Sequence, residues 1–103
     1  MKSKRSKATD IPQAVKKAVW ERDNYCCIVC GKHYTAMPNA HFISRAKGGL
    51  GIEQNIVTLC NRCHYDYDQT TQRPVLKQII REYLQSKYED WNEEKLVYKK
   101  WEI

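Results

Sequence analysis

Four of the five cysteines fall in two pairs, Cys27 and Cys30 in "CIVC" and Cys60 and Cys63 in "CNRC". Each pair puts two thiolates on one tight turn, pointing the same way. Two such turns together offer the tetrahedral sulfur set that Zn²⁺ prefers. The 29 residues between Cys30 and Cys60 exceed the gap of a simple zinc ribbon. A metal there staples two segments and leaves an insertion between them. Metal binding also contributes folding free energy directly, which a core this small needs. Disulfides, buried free thiols and a redox use of the CxxC pairs are the competing readings. Cys26 is left over, as a small buried residue or a spare thiol. The insertion carries a histidine, His41, in "AHFISRAKGG", and by itself that stretch does not say whether His41 does chemistry or ends a strand.

The elements that must position these groups are legible in outline. "TDIPQAVKKAVWERD" reads as a helix that Thr9 or Asp10 can cap, with Pro12 in its first turn. Ile11, Val15, Ala18 and Val19 share its core side, so Lys16, Lys17 and Arg22 should face outward. "NYCCIVCG" suits a zinc knuckle, with Gly31 tolerating the turn. "AHFIS" reads as a strand, "RAKGGLGIEQN" as a loop, and "IVTLC" as the partner strand. "NRCHYDYDQ" reads as a short helix opening after Cys60. From Pro74, Val75, Leu76, Ile79, Ile80, Tyr83 and Leu84 recur at helical spacing, an amphipathic helix of about four turns. "NEEKLVYKKW" reads as a second, shorter helix with Asn92 as its cap. Tyr83, Tyr88, Trp91, Tyr98 and Trp101 are expected to pack against the core or a partner subunit.

The net charge is +6 in 103 residues. Residues 1–10 carry four basic groups and one acidic, residues 11–73 eight and five, and the remainder six of each. A basic excess in the first three quarters of the chain favours a polyanionic partner, nucleic acid first. No apolar run approaches the roughly 18 residues that span a bilayer. "MKSKRSKATD" has charge but no apolar region behind it, so it is read as a flexible basic arm and not as a secretory signal. The expectation is a cytoplasmic, reducing compartment, where thiols ligate metal.

"RDNYCCIVCG", "AHFISRAKGG" and "NIVTLCNRCH" together resemble an HNH nuclease with a ββα-metal (His-Me finger) core and a structural zinc. The resemblance covers about residues 20–69, and the small size and basic N-terminus are similar to phage or prophage members. It implies a small α+β fold, zinc-stapled, with flanking N- and C-terminal helices. It also implies one nuclease domain over residues 11–103, with a helical extension at 74–101. In that resemblance His41 matches the general base, Asn55 the residue that braces the loop and orients that histidine, and His64 a ligand of the catalytic divalent metal. Asp68, four residues on, matches a second helix ligand, and helical spacing puts it on the face of His64.

Chemistry supports these roles. A neutral imidazole, with a pKa near 6.5, takes a proton from water at physiological pH if its ring is held in one tautomer. A divalent ion offsets charge developing on the phosphate. A closed four-thiolate zinc has no open position, so two metal sites are expected: structural Zn²⁺ at the cysteines, and Mg²⁺, Mn²⁺ or Ni²⁺ at His64 and Asp68. Most relatives carry an Asp or His ligand immediately before the base. Here that residue is Ala40, so the ion is held weakly by fewer protein ligands with more waters and the substrate phosphate, or a group from elsewhere such as Asn39 contributes, or the site is degenerate. Arg45, Lys47 and Arg62 are placed to meet phosphates, and the N-terminal lysines and Arg5 to follow a neighbouring backbone segment. His33 matches no role and is assigned to surface or packing. The expected function is a metal-dependent endonuclease acting on double-stranded DNA with modest or structure-directed specificity, with a phage or mobile-element protein as a possible partner. The alternative is a degenerate zinc module that binds nucleic acid without cleaving it.

Overall fold

A computed structural model describes residues 3–99. The order is α1 (Lys4–Thr9), α2 (Gln13–Arg22), β1 (Met37–His41), β2 (Ile56–Leu59), α3 (Asn61–Gln69) and α4 (Arg73–Lys87), with short 3-10 turns at Arg45–Lys47, Glu53–Asn55 and Glu93–Leu96. β1 and β2 pair antiparallel, with Ala40 opposite Val57 and His41 opposite Ile56. A register irregularity lies between Met37 and Ala40. The expected α+β architecture is therefore present: a two-stranded sheet with helices packed around it.

The expected flexible arm is instead partly a helix. Ser3 accepts the Ser6 amide to cap α1, and Thr9 at its end is buried. Six residues do not hold a helix in isolation. Docking supplies the stability: the Gly51 amide donates to the Ala8 carbonyl at 3.0 Å. Arg5 donates through Nη2 to the carbonyls of Arg45 (3.2 Å) and Ala46 (2.8 Å), rather than standing free as a phosphate contact. Gly51 permits this approach, because a Cβ there would lie 1.8 Å from the Asp10 carbonyl oxygen. Asp10 closes α1, and α2 starts from Pro12 with no side-chain cap. Pro12 disfavours a helical Ile11, which is why one long helix does not form.

One face of each central element meets in a common core. Ala40 extends from β1 and Phe42 from the residue just after it, Val57 and Leu59 from β2, and Tyr67 from α3. From α4 the buried stripe is Leu76, Ile80 and Leu84, while Val75 and Ile79 are exposed. The Tyr67 hydroxyl donates to the Phe42 carbonyl at 2.6 Å, joining α3 to the end of β1. Tyr83, Tyr88 and Trp91 pack on the core as expected, and Trp91 meets Phe42 edge to face with centroids 5.6 Å apart. Trp101 lies outside the described residues. The turn at Glu93–Leu96 is capped by Asn92, as expected, but is a single 3-10 turn. Val97 then pairs with Gly49 in an isolated bridge.

Arg22, expected at the surface, is largely buried. Its Nε meets Asp23 Oδ1 at 2.7 Å, Nη1 donates to the Glu53 carbonyl at 2.8 Å, and Nη2 to the Ile56 carbonyl at 2.7 Å. Asp23 Oδ2 in turn accepts the Thr58 amide at 2.9 Å, and Asp23 Oδ1 accepts the Tyr83 hydroxyl. Burial opposes the Arg22 charge, but the Asp23 carboxylate and Tyr88 hydroxyl outweigh it and hold its pKa above the ordinary arginine value. The network ties α2, β2 and α4 together where a sheet of two strands has few ladder bonds of its own. Among the described residues no helix is long and apolar enough to cross a membrane.

Candidate active site and metal centre

The cysteine pairs converge. All five cysteines are free thiols. The Sγ atoms of Cys27, Cys30, Cys60 and Cys63 all lie within 4.8 Å of one another, with Cys30 and Cys60 3.6 Å apart. A tetrahedral Zn²⁺ with bonds of about 2.3 Å needs sulfurs about 3.8 Å apart, so the donor set fits. The first turn closes with the Gly31 amide on the Cys27 carbonyl at 2.9 Å. Gly31 has φ +81° there, a conformation that other residues rarely adopt. On the second turn Cys60 caps α3, its sulfur accepting the Cys63 amide at 3.5 Å. Burial pushes the Cys60 thiol up, but the Cys63 amide and the neighbouring thiols outweigh it and bring its pKa to about 7. The Cys63 and Cys30 thiols are pushed up by burial. Four thiols this close do not all ionise without a cation among them. The four cysteines are thus placed to bind a metal ion in an arrangement consistent with structural zinc. Cys26 is half-buried and outside the cluster.

A cleft of about 880 Å³ opens between the α1–α2 connection (Asp10 and Ile11), the end of β1 with the loop after it, and α3. His41, His64 and Asp68 line it, with Asn39, Arg45 and Lys47. Strand alternation carries Ala40 inward and turns Asn39 and His41 to the cleft. The His41 Nε2 lies 2.9 Å from the Thr9 carbonyl oxygen. A carbonyl only accepts, so Nε2 carries the proton and Nδ1 keeps its lone pair. Burial lowers the His41 pKa first; the Thr9 bond opposes this, and Arg45 and His64 add to it. The net direction is down, so the ring is neutral at neutral pH.

Asn55 is fully buried beneath the loop that follows β1. Its Oδ1 accepts the Ile43 amide at 2.8 Å, and its Nδ2 donates to the carbonyls of Ile43 (3.1 Å) and Leu50 (2.8 Å). It braces that loop, while the direct hold on the His41 ring comes from Thr9.

His64 and Asp68 sit one turn apart on α3, with Nε2 3.1 Å from Oδ2. Two donors on adjacent positions of an octahedral ion, with bonds of about 2.1 Å, stand about 3 Å apart, so this pair fits one ion. The buried Asn39 Oδ1 has no hydrogen-bond partner among the described residues. A lone buried carbonyl-type oxygen on a residue that lines the cleft is the kind of donor a hard cation takes. Ala40 is 0% exposed and belongs to the apolar core.

The cations divide. Arg45 and Lys47 line the cleft, and Arg45 is paired with Asp10. Arg62 does not line it: its side chain is 78% exposed and lies 3.4 Å from Asp66. Lys16 and Arg73 do line it, and neither was expected there. Arg73 rests 4.1 Å over the Tyr67 ring, donates to the Tyr67 carbonyl at 3.0 Å, and stands 3.9 Å from Asp68. Its place just ahead of Pro74, at the start of a helix returning past α3, was the one available hint. His33 is exposed.

Over 51 residues the chain is 35% identical to a protein of Nostoc sp. named Anaredoxin, an alignment that covers 50% of this chain and 67% of that one. The sequence profile of the HNH endonuclease family matches residues 27–80. That span runs from the first cysteine of the cluster, through both strands and the cleft-lining helix, into the core stripe of α4. It takes in more than half of the chain, and the chain therefore belongs to the HNH endonuclease family.

Proposed function

We propose that the protein is a metal-dependent endonuclease that hydrolyses phosphodiester bonds of double-stranded DNA in the cleft beside α3. The observation that carries this reading is the state of His41. Its Nε2–H is committed to the Thr9 carbonyl, and its Nδ1 lone pair is left for the cleft it shares with His64 and Asp68. Nδ1 takes the proton of a water whose oxygen attacks phosphorus. The new P–O bond forms as the bond to the leaving oxygen breaks, and that oxygen takes a proton from solvent. His64, Asp68 and Asn39 would hold a divalent ion such as Mg²⁺, Mn²⁺ or Ni²⁺. Such an ion supplies charge stabilisation for the phosphate and the departing oxygen. Lys16, Arg45, Lys47 and Arg73 line the wall where a phosphate backbone would lie, a contact that gives affinity without sequence readout. Cys27, Cys30, Cys60 and Cys63 would hold a Zn²⁺ that ties the knuckle to the start of α3, where His64 follows Cys63. Asn55 acts on the same site through the loop.

Plasmid DNA incubated with the purified protein and each divalent ion tests the reading. Cleavage is expected with at least one ion. His41→Ala should lose cleavage by about a hundredfold or more, with zinc content and fold retained. Undiminished cutting by that variant removes His41 as the base. A second reading, a zinc module that binds DNA without cutting it, draws on the apolar, fully buried Ala40 where relatives carry a ligand. It expects salt-sensitive binding and no cleavage with any ion.

A further inference from the structure

We infer that α1, which lies outside the span matched by the family profile, is a positioning element of the active site: it supplies the backbone carbonyl that sets the tautomer and direction of His41. The inference rests on the reading of His41 as the base.

Among the described residues the ring has one backbone anchor, the Thr9 carbonyl at 2.9 Å, and Thr9 is the last residue of α1. A carbonyl near the end of a short helix is aimed only as well as the helix is docked. Three contacts dock it. Arg5 donates to the Arg45 and Ala46 carbonyls, Gly51 donates to Ala8, and Asp10 pairs with Arg45. All three reach the loop of residues 45–51, which follows β1. Asn55 braces that loop through Ile43 and Leu50. The chain of contacts is therefore Asn55 to loop, loop to α1, and the Thr9 carbonyl to Nε2 of His41. This places Arg5 as a positioning residue, although it is far from His41 in sequence and touches no reacting atom. Without the Thr9 acceptor the imidazole proton can sit on either nitrogen, and the Nδ1–H form has no lone pair facing the cleft.

The test uses the full chain, zinc-loaded, as wild type and as Arg5→Ala, Arg5→Lys and Gly51→Ala. Long-range ¹H–¹⁵N spectra of the imidazoles read the His41 tautomer, and amide exchange at Ala8–Asp10 reads the docking of α1. The wild type should show Nε2–H. In Arg5→Ala and Gly51→Ala, α1 amides should exchange faster and His41 should become a tautomer mixture. Cleavage should then show kcat lowered about tenfold or more with KM nearly unchanged. Arg5→Lys, which keeps a donor toward the same carbonyls, should recover part of both signals. Zinc content and α2 amide protection identify any variant that has simply unfolded. Should Gly51→Ala unfold, Arg5→Ala still decides. A wild-type His41 that is Nδ1–H overturns the inference. So does a variant with α1 undocked whose tautomer and kcat are unchanged. Both outcomes are independent of His41→Ala: normal cutting by that variant overturns the base assignment and leaves the tautomer result standing.

Discussion

His64 Nε2 stands 3.1 Å from Asp68 Oδ2, one turn away on α3 and on the cleft side of that helix. Asp68 is also 3.9 Å from Arg73, so its charge is shared between a cation of the chain and any ion that enters. Asp68→Ala should weaken Mn²⁺ binding by at least about tenfold, measured by titration calorimetry on zinc-loaded protein. Unchanged affinity would take Asp68 out of the ligand set. Zinc stoichiometry should not move, because the cysteine cluster is a separate site.

Asn39 gives a second, independent test of the proposed ion site. Its Oδ1 is buried without a hydrogen-bond partner among the described residues, a condition that costs about 1–3 kcal/mol unless something fills it. Asn39→Ala should lower Mn²⁺ affinity roughly tenfold while slightly raising thermal stability of the ion-free protein. Asn39→Asp, with a formal charge, should bind the ion at least as well as wild type. Equal affinities across all three proteins would leave the orphaned oxygen without a role in the metal site.

Removal of zinc should unfold the chain. Structural zinc contributes on the order of 10 kcal/mol or more in small domains at neutral pH. Here the four cysteines that would hold it join the knuckle to the start of α3 in one cluster. A strong chelator should abolish the cooperative unfolding transition in circular dichroism, and readdition of zinc should restore it. Cys26→Ser should bind zinc with wild-type stoichiometry, since Cys26 is outside the cluster. A folded, chelator-treated apoprotein would contradict this.

The Arg22–Asp23 pair should show strong coupling. Removing Asp23 leaves a buried guanidinium without its counter-charge and the Thr58 amide without its acceptor. Asp23→Ala should cost about 3–5 kcal/mol in urea unfolding of the zinc-loaded protein. The double variant Arg22→Met/Asp23→Ala should lose clearly less than the sum of the two single losses. Additive losses would mean that the two side chains act independently.

Local chemistry was readable directly. CxxC spacing is a statement about two sulfurs on one turn, and it holds wherever the turn ends up. β2, α3 and the Leu76–Ile80–Leu84 stripe follow from short-range alternation and period, and they match the structure closely, whereas the first strand runs over Met37–His41 and shares only Ala40 and His41 with the expected "AHFIS". His41, His64 and Asp68 could be placed in one cleft because a motif ties their order to a known arrangement.

What only the tertiary structure decided has a common physical cause: it depends on backbone groups and on burial, neither of which residue types record. Nothing in "SKAT" says that its last carbonyl will face an imidazole 32 positions later, yet Thr9 holds His41. Arg22 looks like a surface cation on the outward side of α2. It is buried because the carbonyls of Glu53 and Ile56 and the hydroxyl of Tyr88 meet it from other segments, beside the carboxylate of the adjacent Asp23. Arg62 reads as a phosphate contact by its place beside the cysteines, but α3 turns it away from the cleft, toward Asp66. Residue identity determined which atoms were available for metal binding and proton transfer. The docking of α1 and the return of α4 decided which of them face one another.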